Sequence, residues 1–96
     1  MIEGLNKAFE SRLRLGIMGL LMVNDYISFA DMKENLGATD GNIASHTTAL
    51  EKMKYLAVKK EFVNKKPLTS YSITRLGRQA FQNHLMALET IIKSAK

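Results

Sequence analysis

Residues 39–56 read TDGNIASHTTALEKMKYL. Thr39 is a residue type that caps helices by accepting a hydrogen bond from an amide in the first turn, and Asp40 suits the positive end of the helix dipole. Ile43, Leu50 and Met53 then recur at helical spacing, and Tyr55-Leu56 leads into strand-like sequence. On a wheel advancing about 100° per residue, with Ile43 turned inward, Thr47, Leu50 and Lys54 lie within about 40° of it. Gly41, Asn42, Ser45, Thr48, Ala49 and Lys52 occupy the far half, and His46 sits at the boundary. The helix is therefore read as buried by Ile43, Leu50 and Met53. Its outer face is small and polar, in a chain whose net charge is +5.

Upstream, Leu5, Phe9, Leu13, Ile17, Leu20 and Leu21 recur at three- and four-residue intervals and predict N-terminal helices over about 4–23. Ser11 is a cap that divides a short leading helix from a longer one. Asn24-Asp25 ends the run, and Tyr26-Ile27 is a short extended piece. Ser28, with Asp31 three residues on, opens a further helix in the manner of a capping box. That helix turns Phe29, Met32 and Leu36 inward, and Gly37 supplies the left-handed residue that stops it. Two short helices joined by a Gly-containing turn form a helix-turn-helix unit, here about 28–54.

Downstream the period changes to two. Leu56, Val58, Lys60 and Phe62 share one parity while Lys59 and Glu61 take the other, and Tyr71 and Ile73 alternate with Ser70, Ser72 and Thr74. These are two half-buried strands of a hairpin over about 56–74. They are joined by a basic connection, Val63 to Leu68, that includes Asn64, Lys65, Lys66 and the chain's single proline, Pro67. Thr74 caps a last helix, about 75–94, whose apolar residues are Leu76, Ala80, Phe81, Leu85, Leu88, Ile91 and Ile92. The element order predicts a single domain over residues 1–96 of the α+β class, mainly helical. It is a winged helix-turn-helix with a two- to three-stranded hairpin sheet and a long C-terminal helix.

Composition agrees with one modest core: 96 residues, of which 46% are hydrophobic and 24% charged. The absence of cysteine excludes a disulfide scaffold and a cysteine-ligated metal. Together with the absence of a basic, apolar leader, it predicts a soluble, cytoplasmic protein. The longest apolar segment, Gly16 to Val23, is far shorter than the roughly 20 residues a membrane span needs. Charge is unevenly placed: residues 1–38 sum to −1, residues 39–79 to +5 and residues 80–96 to +1. A positive middle suggests an anionic partner, against the plainer reading of a solvated surface.

His46 and His84 lie on different predicted helices, without a ligand at helical spacing from His46, so no metal site is expected. No nucleophilic triad or phosphate loop is present, and neither an enzyme nor a cofactor is expected. Met18, Met22, Met32, Met53 and Met86 read as adaptable core filling rather than a ligand pocket. On the outer face of the 39–56 helix, Asn can bond an adenine edge and Ser or Thr several bases. Asn64, Lys65 and Lys66 suit phosphate contact, with Lys52, Lys54, Lys59, Lys60, Arg75 and Arg78 as further cations. The apolar stripe Leu85, Leu88, Ile91 and Ile92 outruns the expected core. With Ile2, Leu5 and Phe9 it predicts a homodimer, against a helix that folds back over its own domain.

The stretches FESRLRLGIMGLL (9–21), ISFADMKENLGATDGNIASHTTALEKMKYLAV (27–58) and FVNKKPLTSYSITRLGRQAF (62–81) resemble the stand-alone winged-helix transcriptional regulators, the MarR- and ArsR-like group. LGATDGNIASH is similar to that family's turn and recognition-helix start, and the hairpin followed by TxxGR to its wing. The resemblance implies a homodimer that binds operator double-stranded DNA, with repression the expected mode. It would put Thr39, Asn42, Ser45, His46 and Ala49 in the major groove, joined by Thr48 and Lys52 of the same face, with Lys65 and Lys66 as the wing contact. Members commonly carry Arg or Lys near Ser45, Thr48 or Ala49, so binding here is expected to lean on the wing. A protein-association module is the alternative function.

Overall fold

The computed structural model describes residues 3–94; Ile2, grouped above with Leu5 and Phe9, lies outside them. A 3-10 turn at Lys7–Phe9 leads into α1 (Arg12–Val23), β1 (Ile27–Ser28), α2 (Phe29–Leu36), α3 (Asp40–Lys52), β2 (Leu56–Val63), β3 (Lys66–Ile73) and α4 (Arg75–Ser94). Each α-helix starts at a side-chain cap. Ser11 Oγ accepts from Arg14 N at 3.3 Å, Ser28 Oγ from Asp31 N at 3.1 Å, Thr39 Oγ1 from Asn42 N at 3.2 Å and Thr74 Oγ1 from Gly77 N at 2.9 Å. Each bond satisfies one amide that the helix itself leaves unpaired. Gly37, at φ 59°, ends α2 in the left-handed conformation and sets the angle at which α3 departs.

The sheet is antiparallel in the order β1-β3-β2. β2 and β3 pair without a break from Leu56↔Ile73 to Val63↔Lys66. The connection is therefore two residues, Asn64 and Lys65, at φ 53° and 64°. Positive φ at both positions is what a type I′ hairpin turn requires. The six-residue loop read from the sequence is corrected: Lys66, Pro67 and Leu68 belong to β3. Pro67 is tolerated there because β1 pairs only as far as Ser28↔Ser70, which leaves the outer part of β3 with one neighbour.

The core is built on Phe9, Ile17, Met18, Leu21, Met32, Ile43, Leu50 and Leu56, all essentially inaccessible. Phe29, Leu36, Val58 and Ile73 pack against it. On α3 the third buried position is Thr47, whose hydroxyl donates to Ile43 O at 2.7 Å, and not Met53. Met53 lies beyond the last helical residue and is part-exposed, because the chain leaves the helical phase there and Lys54 turns to φ 65°. The reading of methionines as core filling holds for Met18 and Met32 but not for Met53 and Met86, which are exposed.

Phe9 is also corrected. The 3-10 turn folds it into its own subunit, where its ring meets Tyr55, Phe81 and His84 at centroid distances of 5.4, 5.2 and 5.4 Å. It is inaccessible and has no surface to offer a second copy. His84 is buried, its Nδ1 accepting from Asn6 N at 3.0 Å. That bond ties the leading segment to α4. Alongside it Gly4 lies so close to α4 that a Cβ there would come within 3.2 Å of Ala87 Cβ.

Helix α4 turns Gly77, Phe81, His84 and Ala87 to the core. Apart from Phe81, its larger apolar side chains go elsewhere: Leu85, Leu88 and Ile92 are 42%, 37% and 74% exposed, Leu76 and Met86 are exposed, and Ile91 is half-buried. Past Phe81 this helix packs only His84 and Ala87 inside while showing two leucines and an isoleucine at i, i+3 and i+7, so the apolar stripe of its second half is uncovered. No helix among the described residues is long and apolar enough to cross a membrane.

Candidate nucleic-acid interface

Helix α3 presents an outward ridge of Gly41, Ser45, Thr48 and Lys52, all exposed. Helical spacing places them in one line along its length. On one flank Ala44, Thr48 and Glu51 border a cleft whose far wall is the hairpin, through Val58, Lys60, Thr69 and Tyr71. On the other, Asn42 borders a cleft with Arg12, Leu13 and the α2–α3 turn. The candidates thus divide: Ser45, Thr48 and Lys52 on the ridge, Asn42 exposed on the α1 side, and Ala49 half-buried. Thr39 is exposed, but its hydroxyl oxygen is occupied in capping the helix. Asp40, at the helix start, is bridged by Lys33 at 2.7 Å, which offsets its charge beside the ridge.

His46 is neither free nor buried. Arg14 Nε donates to its Nδ1 at 2.9 Å, and the same guanidinium reaches Ala8 O at 3.5 Å. An imidazole that accepts at Nδ1 is neutral there and carries its proton on Nε2, which remains a donor. Burial lowers the His46 pKa, and the adjacent Arg14 charge pushes the same way. The folded chain then binds this proton less readily than the unfolded chain, whose histidine titrates near pH 6.5. The resulting stability is complete above about pH 6.5 and declines as pH falls from there through the lowered folded value. Melting temperatures between pH 7.5 and 5 are expected to show this decline. His46→Gln, whose amide oxygen can still accept from Arg14, should flatten it; parallel profiles for the two proteins would exclude the Arg14–His46 pair as its source.

The hairpin register sorts the lysines that composition could not. Alternation puts Lys60 on the face toward α3, across the cleft from Thr48 and Glu51. Lys59 points to the opposite face, 3.7 Å from Glu61 and over the Tyr26 ring at 5.9 Å. Arg78 lies beside Met22 Sδ at 3.7 Å and borders a separate cleft with Asn24 and Asp25. Lys54 sits in the turn behind α3, where its carbonyl accepts from Thr74 Oγ1 at 2.6 Å. Lys65 occupies the turn and Lys66 the first rung of β3, both exposed.

The sequence reading missed Arg12 and Arg14. They belong to α1, outside the basic middle of the chain, and tertiary packing carries Arg12 to the cleft beside Asn42 near the start of α3 and Arg14 to His46 at its middle. The ridge thus has Arg12 on its α1 flank, Arg14 bonded to His46, and Lys60 across the cleft on the hairpin flank, with Lys65 and Lys66 further out along the same hairpin at its tip. Such a frame suits a polyanion with a grooved surface, where the cations meet phosphates and the short polar side chains approach what lies between. Among the described residues no group of three or more His, Asp or Glu is placed to hold a metal ion.

Comparison with known proteins agrees. A family model for a winged helix DNA-binding domain matches residues 13–92. An uncharacterised protein of Methanocaldococcus jannaschii is 34% identical over 88 residues, spanning 92% of this chain and 96% of that protein. A transcriptional regulator homologue from Pyrococcus horikoshii OT3 superposes with a TM-score of 0.84 at 28% identity, covering 91% of this chain and 86% of that one. A putative transcriptional regulator from Salmonella typhimurium shares the fold, with a TM-score of 0.72 at 24% identity over 92% and 84% of the two chains. This chain belongs to the winged helix DNA-binding domain family and has the architecture of its transcriptional regulators.

Proposed function

We propose that the protein is a sequence-specific transcriptional regulator that binds operator DNA as a homodimer and represses by occupying it. The observation that carries this reading is the cationic frame around the neutral α3 ridge. Affinity comes from Arg12, Lys60, Lys65 and Lys66 at phosphates, and discrimination from Asn42, Ser45 and Thr48 at base edges in the major groove. His46 donates from Nε2, and Lys52 closes the ridge. Ala49, half-buried, contributes shape rather than a bond. Occlusion of a promoter needs nothing beyond occupancy, which is why repression is the mode proposed.

The homodimer is supported by the uncovered α4 stripe of Leu85, Leu88 and Ile92, with half-buried Leu5 and Ile91 beside it. Two α3 helices related by a twofold and reading successive turns of one groove face would stand about 34 Å apart and select a near-palindrome. Selection of duplexes from a random pool, followed by gel retardation at two salt concentrations, tests both parts. A near-palindromic selected site is expected; a single half-site argues for a monomer, and no retardation at low salt for a protein-association module instead. Asn42→Ala is expected to bind the selected site more weakly by roughly five- to a hundredfold while keeping its affinity for unrelated duplexes. Unchanged preference in that variant would remove Asn42 from base reading.

A further inference from the structure

Phe62 is 79% exposed, and Pro67 stands opposite it on β3, also exposed. Alternation along the strands puts this rung on the same hairpin face as Lys60, Thr69 and Tyr71, the face that borders α3. Nearer the core the face is covered, with Leu56 and Tyr71 buried and Val58 and Ile73 packed against the core. The Phe62–Pro67 rung lies two residues beyond Lys60 and Thr69, about 7 Å further out. An aromatic side chain left in water at the end of a ladder adds nothing to this core and carries a solubility risk.

Its surroundings say what it fits. Lys60 shares its face and Lys65 occupies the turn beyond it, while Lys66, next to Pro67 in the chain, points to the other face. The acidic residue on this part of the hairpin, Glu61, points to the other face beside Lys59. A second copy docking tip to tip would bring these lysines against one another. A DNA minor groove offers the complement, with apolar sugar edges between two rows of phosphates, and Phe and Pro are side chains that enter it as wedges.

We propose that the Phe62–Pro67 rung is an apolar wedge that enters the minor groove next to the major groove occupied by α3. This rests on the DNA-binding reading above, and it assigns a non-electrostatic contact to a wing otherwise read as basic. The test uses the full chain and a fluorescently labelled duplex selected by the wild-type protein, with anisotropy followed across a salt series. Phe62→Ala is expected to weaken binding about tenfold, from the apolar surface no longer buried, with the salt slope unchanged because no counterion contact is lost. Phe62→Leu is expected to retain most of the affinity. A 2-aminopurine at the contacted step should brighten with wild type and not with Phe62→Ala.

Equal binding by Phe62→Ala and wild type overturns the wedge. So does a loss that comes with a flattened slope, which would mean that the substitution displaced a lysine. A change of sedimentation mass with DNA binding intact would assign Phe62 to a second copy. If the wild-type chain retards no duplex at low salt, the DNA-binding reading itself fails, a result separate from these.

Discussion

Replacement of Lys65 and Lys66 together by alanine is expected to weaken binding to every duplex, selected or unrelated, and to flatten its salt dependence. Each phosphate contact on B-DNA contributes about −0.9 to the slope of log K against log salt, so two lost contacts should make it shallower by about 1.8. At moderate salt this corresponds to an affinity loss on the order of tenfold or more. The change should leave the hairpin intact. Lys65 already holds φ 64° with a Cβ, which alanine also carries, and the Val63↔Lys66 pairing is made by backbone. Lys59→Ala is the control, because Lys59 lies back from the hairpin tip and is held beside Tyr26 and Glu61. Anisotropy titrations across a salt series measure all three proteins. An unaltered slope in the double variant would sink the wing assignment, whatever happened to affinity.

The second large effect concerns the fold. Gly77→Ala is expected to destabilise the domain by about 3 kcal/mol, toward the upper end of overpacking penalties. In a domain of this size that lowers the melting temperature by more than about 10 °C. A Cβ on Gly77 would stand 1.9 Å from Tyr55 O and 2.7 Å from the carbon of that carbonyl. The obstruction is backbone, and it is held: Thr74 N donates to Tyr55 O at 3.2 Å and Thr74 Oγ1 to Lys54 O at 2.6 Å. This junction clamps the start of α4 to the entry of β2 and explains the glycine of the TRLGR stretch.

The sign of that result is informative, since glycine in an open helix position is worse than alanine by about 1 kcal/mol. Gly19, in α1, has nothing within 4 Å of its virtual Cβ, and Gly19→Ala should therefore stabilise. Thermal melts of the two variants should move in opposite directions. If Gly77→Ala melts at or above wild type, the clamp does not hold α4 as described.

Caps and turns were legible in the sequence because their physics is local. Ser11, Ser28, Thr39 and Thr74 each accept from an amide three positions on, and Gly37 stops α2 through its own φ. Spacing alone was therefore enough to mark where helices begin and one of them ends. The period-two pattern likewise located both strands, though not the end of the hairpin. Two positive-φ residues without a glycine carry little signal, so the pattern by itself extends the connection over Lys66, Pro67 and Leu68.

Face and partner were decided elsewhere. Arg14 meets His46 across 32 positions and Asn6 meets His84 across 78, and no local pattern announces either. The same long-range packing drew Phe9 inside and rotated α4 so that Gly77, Phe81, His84 and Ala87 face the core. It also chose Lys60 over Lys59 as the cation beside α3. The chain's own order of residues determined its elements, a winged helix and a basic middle, because these follow from contacts within a few residues. Which cations lie beside α3, and which apolar side chains of α4 remain exposed, was decided by tertiary structure, because strand register and helix rotation depend on contacts between residues far apart in the chain.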